Sequence, residues 1–359
     1  MSGLFGNLTA TASAIQGHNR SVELAGKNIA NINNPNYARQ RLSTTSVSTS
    51  TGGEVNTVVS REVQQLRDTF LDRQIVQEAS FLSSFETKND RLLELLGAVG
   101  ETIDRVNDPS FISDKPTNDG GIRSSINSFF NALENFSARP TDQASRAVVM
   151  QRAQDLVDTF NRADARLDSI DGSIETEINT EVNAINNRFS ELSDMNRKIA
   201  QVELASGNGS AADLRDQRQE LLEEIAGFAQ IEVEEVAGSN GQVAVHLRDT
   251  AGDRVNLLQP GFSPEPIFYD AAQNTFRTAN SAQDLNLGAG KLPALAEVRG
   301  GDLADLRGQI DALANTIATE VNELYYQAFV PAGVDPAVPE ISFFAQPTPP
   351  PSVSGSPAA

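Results

Sequence analysis

Residues 156–192 read LVDTFNRADARLDSIDGSIETEINTEVNAINNRFSEL, and the spacing of their large apolar side chains decides the fold. Leu156, Phe160, Ala163, Leu167, Ile170, Ile174, Ile178, Val182, Ile185, Phe189 and Leu192 recur at steps of three and four. That is the period of one helix face laid against partners, the pattern of a coiled coil. No proline interrupts the chain between Pro140 and Pro260. A continuous helix from about Ala144 to Ala205 would be roughly 90 Å long at 1.5 Å per residue; Gly172, which costs about 1 kcal/mol against alanine, is the candidate place for a break, and a rod-like domain follows either way.

On the C-terminal side, Gly207, Asn208 and Gly209 close this helix, and a shorter one opens at Asp213 and runs through Ile225. The period then changes from helical to two. Ile231, Val233 and Val236, then Val243, Val245 and Leu247, alternate around the turn Gly238-Ser-Asn-Gly241, and residues 255–258 supply a third strand. Helical spacing returns over 302–329. The last 29 residues hold eight of the 16 prolines and read as a linker, a tail or a cut end.

On the N-terminal side, Ile122, Ile126, Phe129, Leu133 and Phe136 stripe a helix that Arg139-Pro140 ends, after which Thr141 and Asp142 can cap the long one. Helical spacing is expected from Val63 to Asn107, with Leu66, Phe70, Leu82, Phe85, Leu92, Leu93 and Leu96 on one broad face. Residues 43–60, rich in Ser and Thr and broken at Gly52 and Gly53, fit a hairpin or extended arm. The first helix places Leu4, Leu8, Thr11, Ile15, His18, Val22, Ala25, Ile29 and Ile32 on a 4,3 rhythm. This stripe lacks a partner in the sequence around it, so the helix is expected to be flexible and Leu4, Leu8, Ile15, Val22, Ile29 and Ile32 are its candidate subunit-interface residues.

The expected fold is mainly α with a small β part, an elongated helical coiled-coil bundle with short antiparallel strands. It divides into an N-terminal helix and arm (1–60), a long helical bundle (61–230), a small β-rich part (231–300), a returning helix (301–330) and a Pro-rich end (331–359).

Composition removes several classes of function. Lys plus Arg total 28 against 48 for Asp plus Glu, a formal net charge of -20, which repels nucleic acid and anionic lipid. The absence of cysteine excludes thiolate metal sites and cysteine nucleophiles, and with only His18 and His246 a histidine metal site is nearly excluded too. No apolar run approaches the ~20 residues of a membrane span, and the N-terminus lacks the cationic start of a cleaved signal peptide. Gly288-Ala-Gly290-Lys291 is not a phosphate loop, because leucines occupy positions 285 and 292 where a glycine and a Ser or Thr are needed. No catalytic, cofactor or metal residues are assigned.

The segment Asn28-Ile-Ala-Asn31-Ile-Asn-Asn-Pro35-Asn36-Tyr37-Ala-Arg39-Gln40 resembles the signature that follows the first helix in the flagellar axial proteins, the rod, hook and hook-associated proteins. Its motif residues are Asn28, Asn31, Pro35, Tyr37, Arg39 and Gln40. The continuation after Tyr37 is most similar to the hook-associated members at the hook–filament junction. Asp213-Leu-Arg215-Asp216-Gln-Arg218 and the stretch from Gly300 to Phe329 are similar to later segments of the same members. The resemblance implies a secreted, extracellular structural subunit without enzymatic activity, exported by the flagellar type III system and required for filament assembly. Its implied partners are copies of itself, the hook protein, the next hook-associated protein and an export chaperone. It also implies a C-terminal helix that pairs with the first helix, for which this chain has no counterpart, so a chain lacking its C-terminal part is expected. On the residues alone, a non-flagellar acidic coiled-coil adaptor is the alternative.

Overall fold

The computed structural model describes residues 2–34, 36–49, 55–99, 121–206, 210–329 and 342–345; of these, the side chains of 2–7, 9, 10, 45–49, 55–62, 206 and 326–329 are not described. The fold is mainly α with a small antiparallel β part. Helix α1 (Ser2–Ala30) leads into the hairpin β1 (Gln40–Thr49) and β2 (Val55–Gln65). Helices α2 (Thr69–Val99), α3 (Ile122–Ala138), α4 (Gln143–Ser206) and α5 (Ala212–Phe228) follow. A sheet is then built from β3 (Glu232–Glu235), β4 (Val243–Asp249), β5 (Arg254–Leu258), β6 (Ile267–Asp270), β7 (Thr275–Thr278) and β8 (Asp284–Asn286). Helix α6 (Lys291–Glu297), a π-helical turn (Val298–Leu303) and α7 (Ala304–Phe329) complete the described elements.

Helix α4 is uninterrupted over 64 residues, so Gly172 does not break it. Asp142 caps its start as the sequence suggested: its carboxylate accepts the N–H groups of Ala144 and Ser145 and the Ser145 hydroxyl. Every apolar position of the expected seam except Phe160 is buried, with Leu167, Ile174, Ile178, Ile185 and Leu192 fully so.

The chain forms two compact units, residues 1–90 with 174–297, and 91–173 with 298–359. In the second unit Phe129 and Ala132 of α3, Val149, Ala153 and Leu156 of α4 and Val321 of α7 form the core. Phe343 and Phe344, within the Pro-rich end, pack on this cluster, their rings 6.2 and 5.7 Å from that of Phe129. Asn322 of α7 fixes them by donating to the Phe344 carbonyl at 2.9 Å and accepting the Phe344 N–H at 2.8 Å. Arg299 pairs with Asp171 across the same unit.

In the first unit the six-stranded sheet runs β3-β4-β8-β7-β6, with β5 also on β4, and all pairings are antiparallel. Val245, Leu247, Leu257 and Leu258 of this sheet are fully buried. β3 is a terminal strand and bears Glu232, Glu234 and Glu235. Two asparagines of α4 seat the sheet. Asn186 exchanges both hydrogen bonds with the backbone of Ile267, each 2.8 Å, and Asn196 does so with Val243 at 2.8 and 3.3 Å. The glycines before α6 serve packing: a Cβ on Gly290 would lie 2.5 Å from the Phe228 carbonyl oxygen, and Lys291 is engaged by Glu177 and Glu181.

Two expectations are corrected. Residues 63–65 belong to β2 and α2 begins only at Thr69, while residues 100–107 lie outside the described residues. The sheet has three further strands, β6 to β8, that alternation did not reveal. Ile174 is fully buried, so Ile174→Asp is expected to strand an unpaired charge and cost about 3–5 kcal/mol, whereas Gln201→Glu on the exposed face should change stability by less than about 0.5 kcal/mol. Thermal unfolding of the two variants checks this.

Candidate functional site

The polar residues of the segment after α1 converge on α5. Helix α1 ends at Ala30, and Asn31 closes it by donating from both its backbone N–H and its side-chain amide to the Lys27 carbonyl, at 3.1 and 3.0 Å. One turn earlier, Asn28 donates to the Gln40 carbonyl at 2.9 Å and accepts the Gln40 N–H at 3.0 Å. The Tyr37 hydroxyl donates to the same Asn28 oxygen at 3.0 Å. The turn is thereby folded back against the helix that precedes it. Asn34 accepts the Asn36 N–H at 3.1 Å, while Pro35 lies outside the described residues.

Helix α5 receives this turn. Asp213 and Asp216, one helical turn apart, share a face. Asp213 accepts the Gln40 amide at 2.8 Å and Lys27 at 3.2 Å. Asp216 accepts the Ala38 N–H at 3.3 Å and the Gln65 amide at 2.9 Å, with Arg67 at 3.5 Å; Gln65 also donates to the Ala212 carbonyl at 2.8 Å. Arg67 in turn donates to the Asn36 carbonyl at 3.2 Å. Both ends of the β1–β2 hairpin and the end of α1 are therefore tied to one turn of α5.

The next face of α5 ties the sheet. Arg215 forms a forked pair with the buried Glu203, at 2.9 and 3.1 Å. Arg218 donates to Asn196 at 3.3 Å and to the Gly241 carbonyl at 2.5 Å. Gly241 has φ +77°, and a Cβ there would collide with Arg215 and Glu203.

Burial sets the electrostatics. Asp216 is only 7% exposed, and desolvation pushes its carboxyl up to about 6 although Arg67, Ala38 and Gln65 favour the charged form. The hydrogen bond from Gln40, reinforced by Lys27, holds Asp213 below its usual range. Tyr37 is raised by its burial and by the two carboxylates. Burial, then Arg215, lowers Arg218 to about 10.

The predicted residues thus separate into two groups. Asn28, Tyr37 and Gln40 meet in one network and Asn31 caps α1, whereas Arg39 is exposed, its backbone carbonyl accepting the Leu66 N–H at 2.8 Å. Leu8, Ile15, Val22 and Ile29 form an exposed stripe along α1, with Val22 71% and Ile29 72% exposed; Ile32, also exposed, lies in the turn after the helix, and Leu4's side chain lies outside those described. Among the described side chains of α1, only Leu24, on another face, is buried, and His18 is exposed. The reading of single motifs missed Lys27, Gln65 and Arg67. Among the described residues no cluster of three or more His, Cys, Asp or Glu could hold a metal, and no helix is long and apolar enough to cross a membrane.

The fold and the joint define a mainly helical protein with a small antiparallel sheet, whose first helix is held to the body by polar contacts and leaves an apolar face exposed. The family model described as the flagellar hook-associated protein FlgK helical domain matches residues 113–334, and the chain belongs to that family. The chain is similar to flagellar hook-associated protein 1 of Bacillus subtilis (strain 168), 27% identical over 268 residues, covering 69% of this chain and 49% of that relative. It is also similar to the protein of the same name from Salmonella typhimurium, 23% identical over 342 residues, covering 92% and 57%. It therefore spans about half the length of the curated relatives it matches. Among solved structures, the flagellar hook junction protein FlgK from Burkholderia pseudomallei shares the fold with a TM-score of 0.54 at 22% identity, over 70% of this chain and 43% of that one.

Two predictions follow from the joint. Asn28→Asp keeps the acceptor for Tyr37 and Gln40 but loses the donor to the Gln40 carbonyl and adds a charge beside Asp213; amide exchange at Ala38 and Gln40 should accelerate about tenfold or more. The second concerns pH. Because the folded Asp216 carboxyl titrates near 6, above its unfolded value of 3.8, its stabilising contribution is complete below about pH 4 and is lost as pH rises through 6. Between pH 5 and 7 the native chain should lose about 1 kcal/mol more stability than Asp216→Asn, read from paired denaturant titrations.

Proposed function

We propose that this chain is a structural subunit of the bacterial flagellum that forms the junction between hook and filament, and that the α1 stripe is its subunit contact. The observation that carries the reading is the exposed 4,3 apolar stripe of α1, joined to the body through the network between the residue 28–40 turn and α5. An apolar helix face of this length left in water is a contact waiting for another helix. Membership of the hook-associated family and the names of its relatives support the same reading.

In this role the chain acts outside the cell, after export by the flagellar type III system with a chaperone. It contacts copies of itself, the hook protein and the next hook-associated protein. The role requires no catalysis, cofactor or metal. In cells whose only copy of the gene carries Ile15→Asp and Ile29→Asp, filaments and motility should be lost while the purified protein keeps its melting temperature within about 2 °C, since both side chains are exposed. Normal motility in that strain would remove α1 as the contact.

A further inference from the structure

Three helices carry glycine at one level of the second unit, and the packing does not ask for it. Arg166 of α4 donates to the Ala98 carbonyl of α2 at 3.3 Å, next to Gly97. Arg307 of α7, next to Gly308, pairs with Asp164 of α4 at 3.4 Å and with Asp168. Arg299 of the π-helical turn holds Asp171 in a fork, at 2.8 and 3.2 Å, beside Gly172 of α4 and two residues from Gly301. These contacts gather Gly97, Gly172, Gly301 and Gly308 along residues 164–172 of α4, about 12 Å of its length.

Glycine is a poor helix former because it loses the most backbone freedom on folding. Elsewhere in the chain that cost has a steric reason. A Cβ on Gly241 would meet Arg215 and Glu203, one on Gly290 would meet the Phe228 backbone, and both residues hold positive φ. At Gly97, Gly172, Gly301 and Gly308 a Cβ would meet nothing within 4 Å, and none of the four has positive φ. Alanine would fit each site and stiffen it. The π-helical turn Val298–Leu303 is a second departure from regular helix at the same level, and π turns and glycines are both causes of helix bending. The band is not a gap in the core, since Leu167, Ile170 and Leu303 within it are buried.

We propose that this band is a built-in flexure. Helix α4 stays hydrogen-bonded through it but bends there more readily than on either side, and the π-helical turn and α7 yield beside it. The Arg299 fork and the Arg307 ion pairs keep the helices at one level while they bend, because each ties a guanidinium of one helical segment to carboxylates of the next. The use of the flexure rests on the axial-subunit reading: a subunit at the junction between hook and filament must fit two different neighbours, and a bend in its longest helix lets one chain meet both.

The test exploits the sign of the glycine cost. Gly172→Ala, Gly301→Ala and Gly308→Ala are combined in one chain, and Gly227→Ala, inside α5 where a Cβ also meets nothing within 4 Å, serves as the control. Both chains should melt higher than the native one, by about 1–3 °C for each alanine. Residual dipolar couplings of the backbone amides then compare residues 144–163 of α4 with residues 175–200. In the native chain and the control the two segments should report different degrees of alignment, as a bending rod does, and in the triple variant they should agree. Equal alignment in the native chain, or a difference that the three alanines leave unchanged, overturns the flexure. A triple variant that melts lower than the native chain overturns it too, because the glycines would then be required by the fold. In cells whose only copy of the gene carries the three alanines, motility should fall at least twofold, while Gly227→Ala leaves it unchanged. Full motility with the flexure removed overturns its use at the junction. The axial reading is judged apart from this by Ile15→Asp with Ile29→Asp, which leave the band untouched.

Discussion

A peptide unit whose N–H and C=O point away from any neighbouring strand leaves both unsatisfied, and burying either group costs about 1–3 kcal/mol. This chain meets that constraint four times with the same side chain. Asn28 pairs with both backbone groups of Gln40, Asn186 with those of Ile267, Asn196 with those of Val243, and Asn322 with those of Phe344. A carboxamide has one donor end and one acceptor end, so it stands in for the missing strand. Aspartate would lack the donor, and leucine both. The N-terminal arm, two points of the sheet and the 342–345 segment are all held to helices in this way.

The long helix was legible because its apolar period persists through eleven positions and an aspartate cap marks its start. The end of β2 was not. Val63, Leu66 and Phe70 fall at helical intervals, and a bulge between Ser43 and Thr44 shifts the strand's alternation just where it had to be followed. The later strands are only three or four residues long, and two of their turns use Asn274 and Ala282 at positive φ rather than glycine. Proline content hid Phe343 and Phe344, whose rings find a core that the composition of the surrounding segment does not suggest.

The candidate site was half legible. The turn after α1 and the acidic turn of α5 could each be picked out as a motif, since Asn, Tyr and paired Asp are informative residue types. That they bind each other, Gln40 to Asp213 across 173 residues, depends on the fold bringing α5 beneath the hairpin. Helical spacing explains why α5 can serve two masters: residues 213 and 216 face the arm, and residues 215 and 218 face the sheet turn. Its charges are thus structural, and Asp216 is destabilised in its ionised form by the burial that the joint requires.

The acidic edge strand has a consequence of its own. β3 ends its sheet, and Glu232, Glu234 and Glu235 hold ion pairs with Arg248, Arg254 and Arg215 around it. An incoming strand would have to desolvate those carboxylates and guanidiniums to reach the backbone, which is how natural sheets discourage edge-to-edge aggregation. At this edge the sheet discourages new strands while α1 leaves its apolar stripe open, so pairing through a helix is kept apart from the cross-β route that would end in insoluble fibre.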